Sequence, residues 1–271
     1  MDLSKRVAVI TGGASGIGRA VAAAMARRGV AAVALVDVSE AVEDVATKLN
    51  AEAGRTFAIP FQGDTTDPKF RASVFDSMQG RFGVVSMCVP AAGITRDELA
   101  VRIDKTTGKA RVYPLEQFRL VVEVNLIAPV YWALEMIGRI AEERAAKSLK
   151  RWAPEEGMQG SVVFIGSVSS QGNRGQISYA STKAGIEGAA ATIMKEAMFH
   201  GVRCGVIHPG FTDTPMVRAM GMDYVAKNIL PYTQLGRLID PDEIADAICF
   251  MLANSAVSGE LWVDAGWHAP A

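Results

Sequence analysis

The chain has 271 residues, of which 49% are hydrophobic and 21% are charged, so it has enough apolar mass for one sizeable core. Its formal net charge is -1, which argues against a protein that binds nucleic acid or an anionic membrane surface. The three cysteines, Cys88, Cys204 and Cys249, show neither metal-binding nor disulfide spacing, which favours buried thiols in a reducing compartment.

Short runs rich in valine and isoleucine alternate with longer helical patterns. The runs are apolar throughout, which suits strands that are covered on both faces. The seven predicted strands are 6–11, 31–37, 56–64, 84–93, 160–167, 202–210 and 259–266. The alternation predicts an α/β fold, a Rossmann-type doubly wound parallel sheet flanked by helices on both faces. We expect one domain over residues 1–271, with Ser39 as the N-cap of the second helix.

Two polar stretches depart from this alternation. Residues 96–117, "RDELAVRIDKTTGKARVYPLEQ", form a charged excursion, and 142–160 read as a polar helix end with a loop. Solvated surface is the favoured interpretation of both. The N-terminus enters a strand at once, and no apolar run reaches the ~18 residues that a membrane span needs. We therefore expect a cytoplasmic protein with no membrane contact.

The stretch "VAVITGGASGIGRA" reads as a strand, a glycine turn and a helix start. Gly12, Gly16 and Gly18 follow the spacing G-x-x-x-G-x-G. Glycines permit a tight turn in which backbone N–H groups approach a pyrophosphate at a helix N-terminus. A glycine triplet alone is a weak signal, but its position between the first strand and the first helix favours a dinucleotide site.

The second predicted strand ends in Asp37, nineteen residues after Gly18. A carboxylate at this position accepts hydrogen bonds from the adenosine ribose and repels a 2′-phosphate, so NAD is expected rather than NADP. The alternative is an aspartate that caps the next helix. Asp64, at the end of the third strand, is expected either to accept from the adenine amino group or simply to form a turn.

Tyr179 and Lys183 stand four residues apart in "ISYASTKAG", and on a helix they share one face. A nearby ammonium favours the phenolate form of tyrosine, which makes Tyr179 a candidate general acid and base. The small residues around the pair leave room for a flat cofactor ring. Ser167 ends a strand twelve residues upstream, where its hydroxyl can bind a substrate oxygen. A solvated surface pair is the alternative for Tyr179 and Lys183.

Taken together, these motifs resemble the short-chain dehydrogenase/reductase family. "TGGASGIG" matches the family's T-G-x-x-x-G-x-G, "YASTK" its Y-x-x-x-K, and "IGSVSS" its catalytic serine segment. "VNL" is similar to the segment with the helix asparagine, and "HPGFTDT" to the loop that faces the nicotinamide. The motifs run in family order over nearly the whole chain.

The resemblance implies four catalytic residues. Tyr179 would exchange the proton, Lys183 would hold the nicotinamide ribose and lower the pKa of Tyr179, Ser167 would orient the carbonyl, and Asn125 would position a water in a proton relay. Thr214 and the backbone at Thr212 would meet the carboxamide. The cofactor-binding set is Gly12, Ser15, Gly16, Ile17, Gly18, Asp37, Asp64, Ala92, Gly93, Tyr179, Lys183, Pro209, Gly210, Thr212 and Thr214.

The sequence also departs from the family pattern. The family's N-A-G is here "AAG", residues 91–93, so its asparagine is missing and we expect an adapted sheet core. The spacing from Ser167 to Tyr179 is one residue shorter than usual, which leaves Ser169 as an alternative to Ser167. Ser15 stands where many NADP-using relatives carry arginine, in agreement with Asp37.

Several residues near these motifs have two interpretations. Residues 212–232 are placed as a substrate lid, and Met216, Met220 and Met222 either line an apolar pocket or pack against a neighbouring helix. Arg174 either meets an anionic substrate or faces solvent. No metal site is expected, because none of three histidines is paired for a metal or with a nucleophilic serine. They are His200, His208 and His268.

The leading hypothesis is an NAD(H)-dependent oxidoreductase that interconverts a secondary alcohol and a ketone. Within the family, the sequence looks closest to 3-oxoacyl-(acyl-carrier-protein) reductases, so an NADPH-dependent 3-oxoacyl-thioester reductase is the alternative. The excursion at 96–117 is longer than in that branch and weakens the transfer of substrate. A sensor that binds NAD without turnover is the hypothesis from another class. The resemblance also implies a homotetramer.

Overall fold

The computed structural model describes residues 1–267, and within them all seven predicted strands form one parallel sheet. Two further strands form a separate antiparallel hairpin. In chain order the strands are β1 (Val7–Thr11), β2 (Ala32–Asp37), β3 (Ala58–Gln62), β4 (Met87–Pro90), β5 (Val101–Ile103), β6 (Ala110–Val112), β7 (Gly160–Ile165), β8 (Val202–Pro209) and β9 (Gly259–Val263). The predicted α/β fold is confirmed.

The helices cover both faces of this sheet. They are α1 (Gly16–Arg27), α2 (Ala41–Ala53), α3 (Pro68–Phe82), α4 (Leu115–Val122), α5 (Ala128–Ala146), α6 (Ile177–Glu196), α7 (Pro215–Arg218), α8 (Met222–Asn228) and α9 (Pro241–Ala253). A π-helical turn over Glu123–Ile127 joins α4 to α5. His268 lies outside the described residues.

Successive strand residues point to opposite faces of the sheet, and each face has its own core. Ala8 and Ile10 pack with side chains of α1, α2 and α9. Val7 and Val9 pack on the other side with α3, α5 and α6, where Trp132 is fully buried. Because both faces are covered, the strands can be apolar at every position, as the sequence indicated.

The strand order is β3-β2-β1-β4-β7-β8-β9. β1 pairs with β2 on one side and with β4 on the other, so the chain runs outward from β1 to β3 and then crosses back to β4 on the opposite side of β1. Such a reversal opens a crevice beyond the carboxyl ends of the strands. The glycine turn after β1 and the segment after β4 meet at this crevice.

Two local predictions need correction. α2 begins at Ala41 with Glu40 at the N-cap, so Ser39 lies one residue further out, although its hydroxyl still accepts a hydrogen bond from the Ala41 amide at 3.3 Å. The stretch 142–160 is more than solvated loop. Its Arg144 is only 3% exposed and pairs with Glu156, because a guanidinium is buried at low cost only when a carboxylate faces it.

The excursion at 96–117 contains the exposed β5–β6 hairpin, but the residues on either side of the hairpin, which we call its stem, contact the start of α6. The Tyr113 hydroxyl donates to the Arg96 carbonyl at 2.6 Å and lies 2.9 Å from the Ser178 hydroxyl of α6. The amide of Glu98 donates to the carbonyl of Gly175 at 2.9 Å. The stem is therefore attached to the start of the helix that carries Tyr179.

One continuous helical stretch among the described residues is long and apolar enough, by length and composition, to cross a membrane. It runs over Leu115–Ala146, and its most apolar 18-residue window has a mean hydropathy of 1.6. The expectation that no stretch reaches this length was therefore wrong. The finding is weak evidence for a membrane span, because a core helix passes the same test, and Trp132 and Met136 of this stretch are buried against the sheet.

Candidate active site

The turn after β1 requires glycine at two positions for steric reasons. A Cβ atom on Gly18 would lie 2.2 Å from the carbonyl oxygen of Gly12, and one on Gly12 would lie 2.8 Å from the amide nitrogen of Ala92. Gly12 also has a φ of 69°, in the left-handed region. The turn can therefore pack against both α1 and the segment after β4 only because these side chains are absent.

The N-terminus of α1 carries backbone donors that no side chain satisfies. Ser15 is the N-cap residue and makes no side-chain hydrogen bond to the helix, and the first turn holds no acidic residue. The first helical hydrogen bond runs from the Arg19 amide to the Ser15 carbonyl, so the amides of residues 16–18 have no partner inside the helix. Such an end favours a bound anion such as a pyrophosphate.

Asp37, the last residue of β2, faces this turn. One carboxylate oxygen accepts from the Ala14 amide at 3.0 Å, and the other accepts from the Ser39 amide at 3.0 Å. The carboxylate therefore braces both the glycine turn and the chain leading to α2. Both sequence interpretations of Asp37 are compatible with this geometry, because each oxygen retains a lone pair for a ribose hydroxyl.

Asp64 is two residues beyond the end of β3 and forms a turn. The same carboxylate oxygen accepts from the Thr66 amide at 2.9 Å and from its hydroxyl at 2.8 Å. Asp64 also lines the crevice. The contacts of Asp64 within the chain are therefore those of a turn residue. Because Asp64 also lines the crevice, its contact with the adenine stays a prediction.

The crevice contains a long cleft of about 480 Å³, a size typical of sites for organic ligands. The residues predicted to hold the cofactor that line the long cleft are Gly12, Ser15, Gly16, Ile17, Gly18, Asp37, Asp64, Ala92, Gly93, Tyr179, Lys183 and Thr214. The unpartnered amides at one end, the carboxylate at the second strand and the bare glycine turn together fit a nicotinamide dinucleotide.

The three remaining residues of the predicted set lie beside the cleft. Pro209, Gly210 and Thr212 line a small pocket of about 140 Å³ that adjoins the long cleft. Thr212 is buried, and its hydroxyl donates to the Gly210 carbonyl at 3.1 Å. Thr214 lines both cavities and caps α7 by accepting from the Val217 amide. The loop after β8 therefore forms the wall that the two cavities share.

Tyr179, Lys183 and Ser167 meet where the cavities join. The Lys183 Nζ atom lies 5.4 Å from the centre of the Tyr179 ring and donates to the Ile165 carbonyl at 2.7 Å. Ser167 caps a short turn of helix after β7, where its Oγ accepts from the Ser169 amide at 3.1 Å.

The pKa of Tyr179 is shifted in the direction opposite to the one that the sequence spacing indicated. Burial raises the pKa of the Tyr179 phenol, its hydrogen bond with Ser167 lowers it in part, and the nearby carboxylate of Asp97 raises it further. Burial also lowers the pKa of Lys183 to about 8. In the chain alone, desolvation therefore outweighs any attraction between ammonium and phenolate.

Asn125 lies in the π-helical turn between α4 and α5 and is 1% exposed. Its side-chain oxygen accepts from the Ile94 amide at 2.9 Å, and its side-chain nitrogen donates to the Ile94 carbonyl at 2.8 Å. Both ends of the amide group thus hold the segment after β4 against α5. Single π-turns of this kind are frequent at functional sites.

The small pocket also contains residues that the sequence analysis missed. Asp97 and Gln176 line it and are joined by a hydrogen bond of 2.8 Å. Met216 and Met220 line it as well, whereas neither Met222 nor Arg174 is among its lining residues in the described part of the chain. The one local signal for these residues was the position of Gln176 at the N-cap of α6, three residues before Tyr179.

His208 is buried beside the main chain of Ser167. Its Nδ1 atom lies 3.3 Å from the Ser167 carbonyl oxygen, and its Nε2 atom lies 3.2 Å from the Glu260 carboxylate. With Glu187, these residues bring three possible metal ligand atoms within 4.8 Å of one another. Because the two carboxylates approach different ring nitrogens, the group is equally well described as an ion-pair cluster, and the absence of a metal stays a prediction.

Comparison with known proteins agrees with these features. The family model described as enoyl-(acyl carrier protein) reductase matches residues 12–268. The 3-oxoacyl-(acyl-carrier-protein) reductase FabG of Escherichia coli (strain K12) is 31% identical over 272 residues, which cover 99% of each chain. The (3R)-3-hydroxyacyl-CoA dehydrogenase of Mus musculus is 30% identical over 264 residues, 94% of this chain and 92% of that protein.

A solved structure of a short-chain type dehydrogenase/reductase from Mycobacterium marinum shares the fold. It aligns with 99% of this chain, and 98% of its own, with a TM-score of 0.80 and 24% identity. The resemblance stated from the sequence motifs is thus confirmed along the length of the chain. The chain belongs to the short-chain dehydrogenase/reductase family and is an oxidoreductase that acts on CH–OH groups.

Proposed function

We propose that this enzyme interconverts a secondary alcohol and a ketone with NAD(H), using Tyr179 as general acid and base. The observation that supports it most directly is the meeting of Ser167, Tyr179 and Lys183 at the junction of the long cleft and the small pocket. When bound in the long cleft, the nicotinamide supplies or accepts the hydride.

Each side chain then has a separate role. The Ser167 hydroxyl donates a hydrogen bond to the substrate oxygen and so orients the carbonyl. Tyr179 gives its phenolic proton to that oxygen during ketone reduction and takes a proton from the alcohol during oxidation. The raised pKa of Tyr179 keeps the phenol protonated, which suits the reductive direction in the free chain.

Lys183 would hold the ribose next to the nicotinamide and keep a positive charge near the phenol. Asn125 would carry a water of the proton relay, which requires hydrogen-bonding capacity beyond its two contacts with Ile94. The loop residues Pro209, Gly210, Thr212 and Thr214 would enclose the carboxamide end.

NAD is proposed over NADP because of Asp37. Its carboxylate lines the long cleft at the end of β2, where a negative charge disfavours a 2′-phosphate. The alternative is an NADPH-dependent reductase of 3-oxoacyl thioesters, which the relatedness to FabG favours. A ratio of kcat/KM values for NADH and NADPH decides between the two cofactors.

We further propose that the chain, residues 1–271, is a single domain with 212–232 as a lid over the small pocket, in a cytoplasmic homotetramer. Met216 and Met220 of α7 and its flank line the pocket, which supports the lid. Exposed apolar side chains on the outer face of α4 and α5 support the oligomer. They are Leu120, Ile127, Tyr131 and Leu134.

The test is a turnover assay of the wild-type enzyme and Tyr179→Phe with NADH and a panel of small ketones. We expect wild-type turnover, and a loss of about a thousandfold in kcat without a proton donor. Tyr131→Phe is the control, since it removes an exposed phenol hydroxyl outside both cavities. Tight NADH binding without turnover of any ketone would instead favour a sensor, and full activity of Tyr179→Phe would contradict the assigned role.

A further inference from the structure

The small pocket has one polar wall, which we define as Thr95, Asp97, Ser169, Asn173 and Gln176. Two members lie at or just before the start of the excursion, and the other three lie in the segment between Ser167 and α6. All of them line the pocket. The facing wall is mostly apolar and includes Phe211, Met216 and Met220. A substrate in this pocket therefore meets this polar wall in addition to the hydroxyls of Ser167 and Tyr179.

Hydrogen bonds fix the orientation of this polar wall. The Gln176 side-chain nitrogen donates to the Asp97 carboxylate at 2.8 Å, and because a carboxylate only accepts, the Gln176 oxygen must face the other way. That oxygen accepts from the Ser169 hydroxyl at 2.9 Å and from the Asn173 amide at 3.0 Å. The Ser169 hydroxyl and one N–H each of Asn173 and Gln176 are thus used within the wall. The second carboxylate oxygen of Asp97 remains available as an acceptor.

Asp97 also dominates the charge of the pocket. Among the described residues that line it, Asp97 is the only one with a charge at neutral pH. No cation of the described chain forms an ion pair with it. The neighbouring Arg96 lines the long cleft instead, and its guanidinium donates to the Thr95 carbonyl at 2.7 Å. The charge of Asp97 reaches Tyr179, since it contributes to the raised pKa of that phenol.

Taking the proposed alcohol–ketone chemistry as its basis, we propose that the natural substrate is a small ketone or secondary alcohol bearing a hydrogen-bond donor close to the reacting carbon, because Asp97 and Tyr179 line the same small pocket. An ammonium or a hydroxyl group at that position would bind the acceptor oxygen of Asp97. A carboxylate there would face the Asp97 charge, and no lysine or arginine is among the described residues that line the small pocket. A 3-oxoacyl thioester would offer the wall only further acceptors.

Binding to a catalytically silent holoenzyme tests this assignment. The probes are aminoacetone, hydroxyacetone and acetoacetate, which share a methyl ketone and differ only in the group on the other α-carbon, together with acetoacetyl-CoA. Dissociation constants are measured from NADH fluorescence on the Tyr179→Phe enzyme saturated with NADH, at fixed ionic strength and pH 7. We expect aminoacetone and hydroxyacetone to bind about tenfold more tightly than acetoacetate and more tightly than acetoacetyl-CoA.

Variants of Asp97 separate its charge from the shape of the pocket. In Asp97→Asn, added to the same Tyr179→Phe background, we expect aminoacetone to lose about tenfold in affinity and acetoacetate to gain, with hydroxyacetone changed less. Asp44→Asn removes the same charge from the exposed face of α2 and is expected to change none of the constants.

Three results would overturn the proposal. The first is that acetoacetate or acetoacetyl-CoA binds as tightly as the donor-bearing ketones. The second is that no donor-bearing ketone binds measurably, and the third is that Asp97→Asn affects all the probes equally. A failure of the alcohol–ketone chemistry itself is distinct from these, because it is seen as a wild-type enzyme that binds NADH but turns over none of the ketones. It leaves the order of binding unchanged.

Discussion

The ammonium of Lys183 is anchored on the carbonyl of Ile165, the last residue of β7, at 2.7 Å, and its Nζ atom lies 5.4 Å from the centre of the Tyr179 ring. The amine is therefore held by the sheet and faces the phenol ring from one helical turn away. Both side chains are desolvated, which lowers the pKa of Lys183 to about 8 and raises the pKa of Tyr179. Each shift disfavours the charged form of its own group.

This arrangement predicts an alkaline limit to ketone reduction. Reduction requires a protonated Tyr179, which its raised pKa preserves, and a charged Lys183, which begins to lose its proton near pH 8. We therefore expect kcat/KM for the ketone to fall above about pH 8. Lys183→Arg keeps its charge to higher pH, so its maximal activity should be lower but its alkaline limb should move upward by about one pH unit or more.

The measurement is kcat/KM between pH 6 and pH 10, with Lys195→Arg as control. Lys195 is an exposed lysine of the same helix, and its replacement should leave the profile unchanged. An alkaline limb at the same pH in Lys183→Arg and wild type would show that another group sets the limit.

Cofactor preference is predicted to depend on the charge of Asp37. Asp37→Asn retains an oxygen that can accept from the Ala14 or Ser39 amide but removes the negative charge. We expect the ratio of kcat/KM for NADPH to that for NADH to rise about tenfold or more, since the repulsion of a 2′-phosphate is lost.

Asp64→Asn is the matched control, because it removes a second carboxylate from the same cleft at a position assigned to the adenine. Its effect should be on affinity for both cofactors alike. A wild-type enzyme that already prefers NADPH strongly would contradict the role given to Asp37.

The parts of the fold and site that sequence predicts are those set by local spacing. The seven strands were found within a few residues of their predicted ends because their apolar runs are continuous. The glycines of the first turn and the Tyr179–Lys183 pair are fixed by distances of a few residues, and Asp37 is identified by its position at the end of the next strand. Such patterns are visible without any tertiary information.

The parts that sequence did not predict depend on contacts between distant segments. Asp97 meets Gln176 across 79 residues of chain, and Glu187, His208 and Glu260 meet from α6, β8 and β9. The sequence indicated a lowered pKa for Tyr179, whereas burial raises it in the folded chain. Spacing identifies the neighbouring ammonium but not the burial of the phenol. Desolvation is a property of the folded crevice.

The glycine turn gives a prediction for stability. In Gly18→Ala, the new Cβ would lie 2.2 Å from the Gly12 carbonyl oxygen, which is main chain and cannot rotate away. We expect the free energy of unfolding to fall by about 2–3 kcal/mol and NADH affinity to fall about tenfold or more as the turn shifts. Urea unfolding and NADH fluorescence measure the two effects.

Gly80→Ala in α3 is the control for this substitution. A Cβ at Gly80 would meet nothing within 4 Å, so this change should raise the free energy of unfolding by about 0.5–1 kcal/mol and leave NADH binding unchanged. Equal stability of Gly18→Ala and wild type would mean that the turn tolerates a side chain.

The outer face of the helical stretch Leu115–Ala146 predicts the oligomeric state. Leu120, Ile127, Tyr131 and Leu134 are between 39% and 51% exposed and recur at helical spacing, so they form one apolar stripe. This stripe also explains why the stretch is apolar enough to span a membrane although its other face packs on the sheet. An exposed stripe of this kind marks a surface that another chain or a lipid covers.

We expect Leu134→Glu to dissociate the proposed tetramer, because a carboxylate in an apolar interface costs several kcal/mol unless it is paired. Leu149→Glu is a close control, since both leucines are 42% exposed but Leu149 lies beyond the end of α5. Sedimentation velocity should give a tetramer for wild type and Leu149→Glu and a smaller species for Leu134→Glu. A monomeric wild type that floats with neutral liposomes would instead assign the stripe to lipid, since a second copy of the chain cannot cover a surface that a bilayer occupies.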